Sequence, residues 1–255
     1  MRILVTRPEP DASQQAERLA ALGHEPVLAP LLEIEFLPDV KVNLEGVQGL
    51  IATSRNALRA LAPHPARAEA QMLPLLAVGE ATAAAATELG FTDVTIGPGT
   101  GEALAALIRV DASPDDGELL HLAGDAVAFD LKSALRELGF TVRQTVLYKA
   151  VPANGFQEEA RAMLEGGRLD GVILMSPRTA RIFAALLGQQ GVVSKGSGLV
   201  CYCLSQAVAE AVIPLGFETR IAVHPSEEEV LALLDSEAPS WVSRSESADE
   251  TQGET

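Results

Sequence analysis

The groups best suited to chemistry in this sequence are one phenol and a series of small or hydroxylated turn residues. Tyr148 is one of only two tyrosines and lies in the run Thr145-Val146-Leu147-Tyr148-Lys149-Ala150-Val151-Pro152. That run is β-rich, ends in proline and sits near the middle of the chain, between two halves that repeat each other. A strand placed there crosses from one domain to another, and its phenol can face a ligand held between them. A packed hinge residue is the structural alternative.

The turn residues recur at the expected carboxyl ends of strands, where an open parallel sheet binds its ligands. They are Thr6-Arg7, Thr53-Ser54-Arg55-Asn56, Gly79-Glu80-Ala81-Thr82, Gly99-Thr100, Gly124-Asp125, Ser176-Pro177-Arg178 and Ser205-Gln206. Most place a small or hydroxylated residue at a helix N-terminus, where free N–H groups and about half a positive charge favour carboxylate or phosphate. Plain helix capping selects the same residue types, so each turn taken singly has a purely structural reading. Gly97-Pro98-Gly99-Thr100-Gly101 resembles a phosphate loop, but no Gly-Lys-Ser/Thr follows and it does not come after the first strand. His24, His64, His121 and His224 lack metal-ligand spacing. No Gly-x-Ser-x-Gly occurs. Cys201 and Cys203 share a strand face with parallel side chains, which suits buried thiols rather than a disulfide.

These turns require alternating strands and helices to hold them. Strands are expected over 2–6, 24–29, 31–36, 49–53, 73–78, 91–96, 118–122, 140–151, 171–175, 199–204 and 218–223. Helices are expected from Asp11 or Ser13 as cap through Leu22, and over 56–61, 80–89, 102–108, 128–138, 157–165, 178–187, 206–215 and 227–234. A repeat runs through this order. The stretch 76–91 parallels 202–217, each a strand, a small-residue turn, an Ala-rich helix and Leu-Gly-Phe. Likewise 49–54 matches 171–176, and the short unit 3–32 resembles 119–148. The chain order is short unit, long unit, short unit, long unit, which implies two similar parallel-sheet domains.

Composition sets the outer bounds. With 255 residues, 47% of them hydrophobic and 4% aromatic, the chain can bury a sizeable core built of Ala, Leu, Val and Gly, as α/β packing requires. The net charge of −16 argues against nucleic acid and against an anionic membrane surface as partners. No apolar run is long enough for a transmembrane helix, and the N-terminus reads as a strand, so a cytoplasmic protein is expected. Residues 236–255 are dominated by Ser, Glu, Asp, Gly and Thr and are expected to form a disordered acidic tail.

Along about its first 235 residues the chain resembles uroporphyrinogen-III synthase. The landmarks are Val5-Thr6-Arg7-Pro8, Thr53-Ser54 before Asn56-Ala57, Ala77-Val78-Gly79 before Thr82-Ala83, Leu138-Gly139-Phe140 before Val146 and Tyr148, and Ser176-Pro177. One turn departs from the pattern: Ser205-Gln206-Ala207-Val208 stands where many members have Gly and a following Thr. The resemblance implies an α/β protein of two similar parallel-sheet, flavodoxin-like domains joined by a two-stranded linker. Domain 1 would combine residues 1–35 and 153–235. Domain 2 would be 36–152, with linker strands at both of its ends acting as a hinge.

The resemblance also implies dehydration of hydroxymethylbilane, inversion of ring D and closure to uroporphyrinogen III, with no metal and no cofactor. Tyr148 would be catalytic. Substrate would be bound by Arg7, Thr53, Ser54, Asn56, Gly79, Thr82, Ser176, Pro177, Arg178 and Ser205. A monomer is expected, with transient handover of substrate from hydroxymethylbilane synthase. Two other functions remain open to the sequence: a non-catalytic two-domain binder of an anionic small metabolite, and a nucleotide-dependent enzyme using the turn at 97–101.

Overall fold

A computed structural model of the chain describes residues 1–191 and 198–235. The expected tail at 236–255 lies outside the described residues. The strands, in chain order, are β1 (Arg2–Val5), β2 (Glu25–Leu28), β3 (Leu32–Phe36), β4 (Val47–Ala52), β5 (Leu75–Ala77), β6 (Val94–Ile96), β7 (Glu118–Gly124), β8 (Val142–Pro152), β9 (Gly171–Leu174), β10 (Val200–Cys203) and β11 (Glu218–Ile221). The α-helices are α1 (Asp11–Ala21), α2 (Arg55–Leu61), α3 (Arg67–Ala70), α4 (Glu80–Leu89), α5 (Gly101–Asp111), α6 (Leu131–Glu137), α7 (Glu158–Glu165), α8 (Pro177–Gln190), α9 (Gln206–Ala209) and α10 (Glu227–Asp235). Among the described residues no helix is long and apolar enough to cross a membrane.

Two sheets result. One has the order β11-β10-β9-β1-β2 and is parallel throughout. The other has the order β3-β8-β7-β4-β5-β6, parallel except for β3, which runs antiparallel to β8 at the edge. With β3 set aside, the orders β2-β1-β9-β10-β11 and β8-β7-β4-β5-β6 are the same. In each, a short sequence unit supplies two strands and a long unit supplies three, so the repeat seen in the sequence is a repeat of topology. Both belong to doubly wound α/β units. Numbered along its own unit, the first sheet has the flavodoxin-like order 2-1-3-4-5. The second, whose long unit comes first in the chain, reads 3-2-1-4-5 for the same spatial arrangement. The described residues divide into two compact units, residues 1–31 with those from 153 onward, and residues 32–152.

Parallel strands need crossover helices, which cover both faces of a sheet. Successive strand residues therefore enter different cores. Leu4 packs in one and Ile3 and Val5 in another. Leu50 and Ala52 face α2 residues, whereas Ile51 packs with Leu104, Ile108 and Leu135. Cys201 and Cys203 are free and buried, and burial pushes their thiols up to about 12, so they stay protonated at neutral pH.

Several expected elements differ in detail. The helix expected over 206–215 is a single turn, α9, followed by a 3-10 turn at Ile213–Leu215. Pro214 is the cause, since it has no N–H to donate and its ring crowds the carbonyl one turn back. The cap of α1 is Pro10 rather than Asp11 or Ser13, and the first-turn Ser13 N–H donates instead to Glu9 Oε2 at 3.2 Å. The helix expected from residue 128 starts at Leu131, where Asp130 accepts from the Ser133 N–H at 3.0 Å. The short helix α3 and the 3-10 turn Pro114–Asp116 fall within stretches without a clear apolar period.

Candidate active site

In the unit 32–152, strand order reverses between β4 and β7: the chain goes from β4 outward to β5 and β6, then returns to β7 and β8. Such a switch point opens a crevice at the strands' carboxyl ends. Thr53 is the first residue past β4, and its hydroxyl lies 3.0 Å from Nε2 of His121 on β7. Ser54 is extended and caps α2, its Oγ accepting from the Asn56 N–H at 3.2 Å. Asn56 is buried, and its Oδ1 accepts from Arg59 Nη1 at 2.7 Å. One strand further out, Gly79 precedes α4 in extended conformation, and its carbonyl accepts from the Thr82 and Ala83 N–H groups at 3.1 and 3.0 Å. Thr82 is buried one turn into that helix.

On the other side of β7 lies Tyr148. The parallel ladder of β7 and β8 runs from Leu119 opposite Val142 to Ala123 opposite Val146, then shifts so that Gly124 faces Tyr148. Leu147 is thus the extra residue of a bulge, and bulges re-aim side chains. The Tyr148 ring lies directly on Gly124. A Cβ at Gly124 would stand 2.6 Å from Cζ and 2.9 Å from the phenolic oxygen. Asp125 fastens the backbone around it: its N–H donates to the Tyr148 carbonyl at 3.0 Å, and its Oδ1 accepts from the Ala150 N–H at 3.1 Å. The phenol is therefore a buried group on a rigid seat, at the strand ends that also carry Thr53 and Gly79.

The other unit has its own switch point, between β1 and β9. There the buried Thr6 hydroxyl donates to the Ile173 carbonyl at 2.7 Å. Ser176 caps α8, accepting from the Thr179 N–H at 3.1 Å, and Pro177 occupies the first helical position. Arg178 follows in the first turn, half-buried. Arg7 lies 3.1 Å from Asp11 and 2.8 Å from Glu227, which gives its charge two carboxylate partners. Ser205 caps α9 without a side-chain bond, and that helix is one turn long, so its dipole is weak.

The expected residues thus fall into two groups at strand ends: Thr53, Ser54, Asn56, Gly79, Thr82 and Tyr148 in one unit, and Arg7, Ser176, Pro177, Arg178 and Ser205 in the other. His121 was not among the expected site residues, and Gly124-Asp125 was expected as one of the strand-end turns rather than as the seat of Tyr148. The signal for His121 was a single polar residue in the apolar strand Leu119-Leu120-His121-Leu122. Its ring is 1% exposed, and burial lowers its pKa to about 4, so the imidazole is neutral at physiological pH.

A family profile described as Uroporphyrinogen-III synthase HemD matches residues 13–232. Among solved structures, a uroporphyrinogen-III synthetase from Helicobacter pylori is similar with a TM-score of 0.62 at 20% identity, covering 92% of this chain and 98% of that one. A mutant uroporphyrinogen III synthase from Thermus thermophilus is similar with a TM-score of 0.61 at 18% identity, covering 92% of this chain and 96% of that one. The structural likeness agrees in fold, and the profile spans most of the sequence: the chain belongs to the uroporphyrinogen-III synthase family.

Proposed function

We propose that this chain, as a hydro-lyase, closes hydroxymethylbilane to uroporphyrinogen III with loss of water and inversion of ring D, and that Tyr148 is the proton donor. The observation that carries the residue assignment is the seat of Tyr148 on Gly124, held by Asp125 on both sides. Hydroxide is a poor leaving group. The phenol proton moves to the hydroxymethyl oxygen, the carbon–oxygen bond breaks with push from the electron-rich pyrrole, and water departs from an azafulvene cation. Ring D then attacks through its substituted carbon to give a spiro intermediate. The bond from that carbon to its original bridge breaks, leaving a second azafulvene on ring C. Ring D closes on it through its unsubstituted α-carbon, whose released proton restores the phenol. Assistance of this kind supplies about 10²–10⁴-fold. Folding the bilane so that this carbon can attack is a matter of positioning and water exclusion.

The substrate's carboxylates are acceptors for N–H groups in the first turns of α4 and α8 and for the hydroxyls of Thr53, Ser54, Thr82, Ser176 and Ser205. Gly79 brings backbone close, Asn56 and Pro177 shape their turns, and Arg178 adds charge. Arg7 contributes by holding Asp11 and Glu227 rather than by meeting the substrate. The same reading makes the protein a cytoplasmic monomer that receives the bilane from hydroxymethylbilane synthase.

The test is incubation with hydroxymethylbilane, oxidation and separation of the porphyrin isomers. The inverted type III isomer is expected. Closure without inversion leaves all four rings in the same order, so the symmetric isomer alone, or unreacted bilane, overturns the assignment.

A further inference from the structure

His121 lies on β7 opposite Ile51 of β4, the strand pair at which the order of the sheet reverses, and the Thr53 hydroxyl is beside it at 3.0 Å. Its other ring nitrogen, Nδ1, is buried without a hydrogen-bond partner among the described residues. No other hydrogen-bond partner of the Thr53 hydroxyl occurs among the described residues. Thr53 itself is half-buried, so one side of it remains accessible.

A neutral imidazole carries one proton, and two tautomers are possible. With the proton on Nδ1, a buried N–H has no acceptor, a rare and costly arrangement. With the proton on Nε2, the N–H donates to Thr53 Oγ1, and the only unmet group is a lone pair. The second tautomer is therefore favoured. It has a consequence for Thr53. The hydroxyl oxygen is already accepting, so its own proton points elsewhere, and the hydroxyl serves as a donor of fixed direction. Polarisation through the pair strengthens that donor. We infer that His121 is a positioning residue that holds Thr53 as an outward O–H donor for a carboxylate oxygen of the substrate. The inference rests on the reading of Thr53 as substrate-facing.

Nitrogen-15 NMR of the full, ligand-free chain tests the tautomer directly. The expected spectrum has a protonated Nε2 and a pyridine-like Nδ1 for His121, and the reverse assignment overturns the inference. Kinetics test the role. His121→Gln keeps a donor near the Nε2 position, whereas His121→Phe keeps only the ring shape. Phe is expected to raise KM for the bilane about ten-fold, the worth of one hydrogen bond to a charged group, with the loss falling on KM rather than kcat. Gln should restore most of it, and Thr53→Val should add nothing to His121→Phe. A merely structural histidine predicts the opposite order, with Phe tolerated and Gln disruptive, and that order overturns the inference. If wild-type protein fails to convert the bilane, the functional reading falls, and the tautomer still decides the hydrogen-bond assignment.

Discussion

At the scale of residues, Tyr148 and Gly124 are two halves of one arrangement. Tyr148→Phe removes the phenolic O–H and keeps the ring, so kcat should fall about 10–100-fold, the low end of what a general acid supplies. Stability should change by about 1 kcal/mol or less. Gly124→Ala leaves the phenol intact but forces it off its seat, because the new methyl would stand 2.6 Å from Cζ. It should lose at least as much activity and about 1–3 kcal/mol of stability, as overpacking does. Single-turnover rates and urea unfolding measure both. Wild-type kcat in Tyr148→Phe removes the phenol from the chemistry, and wild-type kcat in Gly124→Ala removes its position. Tyr148 was legible because a tyrosine on a proline-ended strand is conspicuous in so aromatic-poor a chain. Partners brought together by folding were not. Arg7 looked like an anion anchor, but one of its two carboxylates, Glu227, lies 220 residues away. His121 was judged by metal spacing along the chain, whereas its partner Thr53 reaches it only through the pairing of β4 with β7.

At the scale of elements, sequence periodicity located most strands and helices, because apolar runs closed by Gly are strong punctuation. The stretch after β10 shows where it misled. Residues 206–215 carry the same apolar spacing as α4, yet α4 runs its full ten residues and α9 stops after four. Pro214 makes the difference. Proline also offers a clean probe of α4. Gly79 has φ −175° and ψ −179°, the extended conformation that a following proline prefers. Residue 80 is the first helical position, where proline is tolerated, as Pro177 is in α8. Glu80→Pro should therefore fold with stability within about 1 kcal/mol of wild type, while deleting one N–H at the proposed carboxylate site. KM should rise about ten-fold relative to Glu80→Ala, which controls for the lost charge. Equal KM values for the two variants would take this N–H out of substrate binding.

At the scale of the whole molecule, the repeat in the sequence had already implied two similar parallel sheets. How the chain is shared between them came not from the repeat but from the family resemblance, which implied residues 1–35 with 153–235 and residues 36–152. The second unit is continuous, residues 32–152, and is inserted into the first between Leu31 and Ala153. Those two residues are adjacent, the Ala153 N–H donating to the Leu31 carbonyl at 3.0 Å. The buried residues on both faces of the second sheet come wholly from 32–152. A segment with its own two-sided core, and ends that meet, has what a domain needs to fold alone. We therefore predict that residues 32–152, expressed by themselves, unfold in urea as one cooperative transition and keep the His121 tautomer of the full chain. A fused chain in which a short glycine linker joins Leu31 to Ala153 should fold likewise. Neither piece should convert hydroxymethylbilane, since each carries only part of the proposed substrate-binding turns. Circular dichroism across the denaturant range, with NMR dispersion in its absence, measures the outcome. A fragment that is collapsed without a cooperative transition would mean that the second unit depends on the first for its core, and that the two cannot be treated as separate domains.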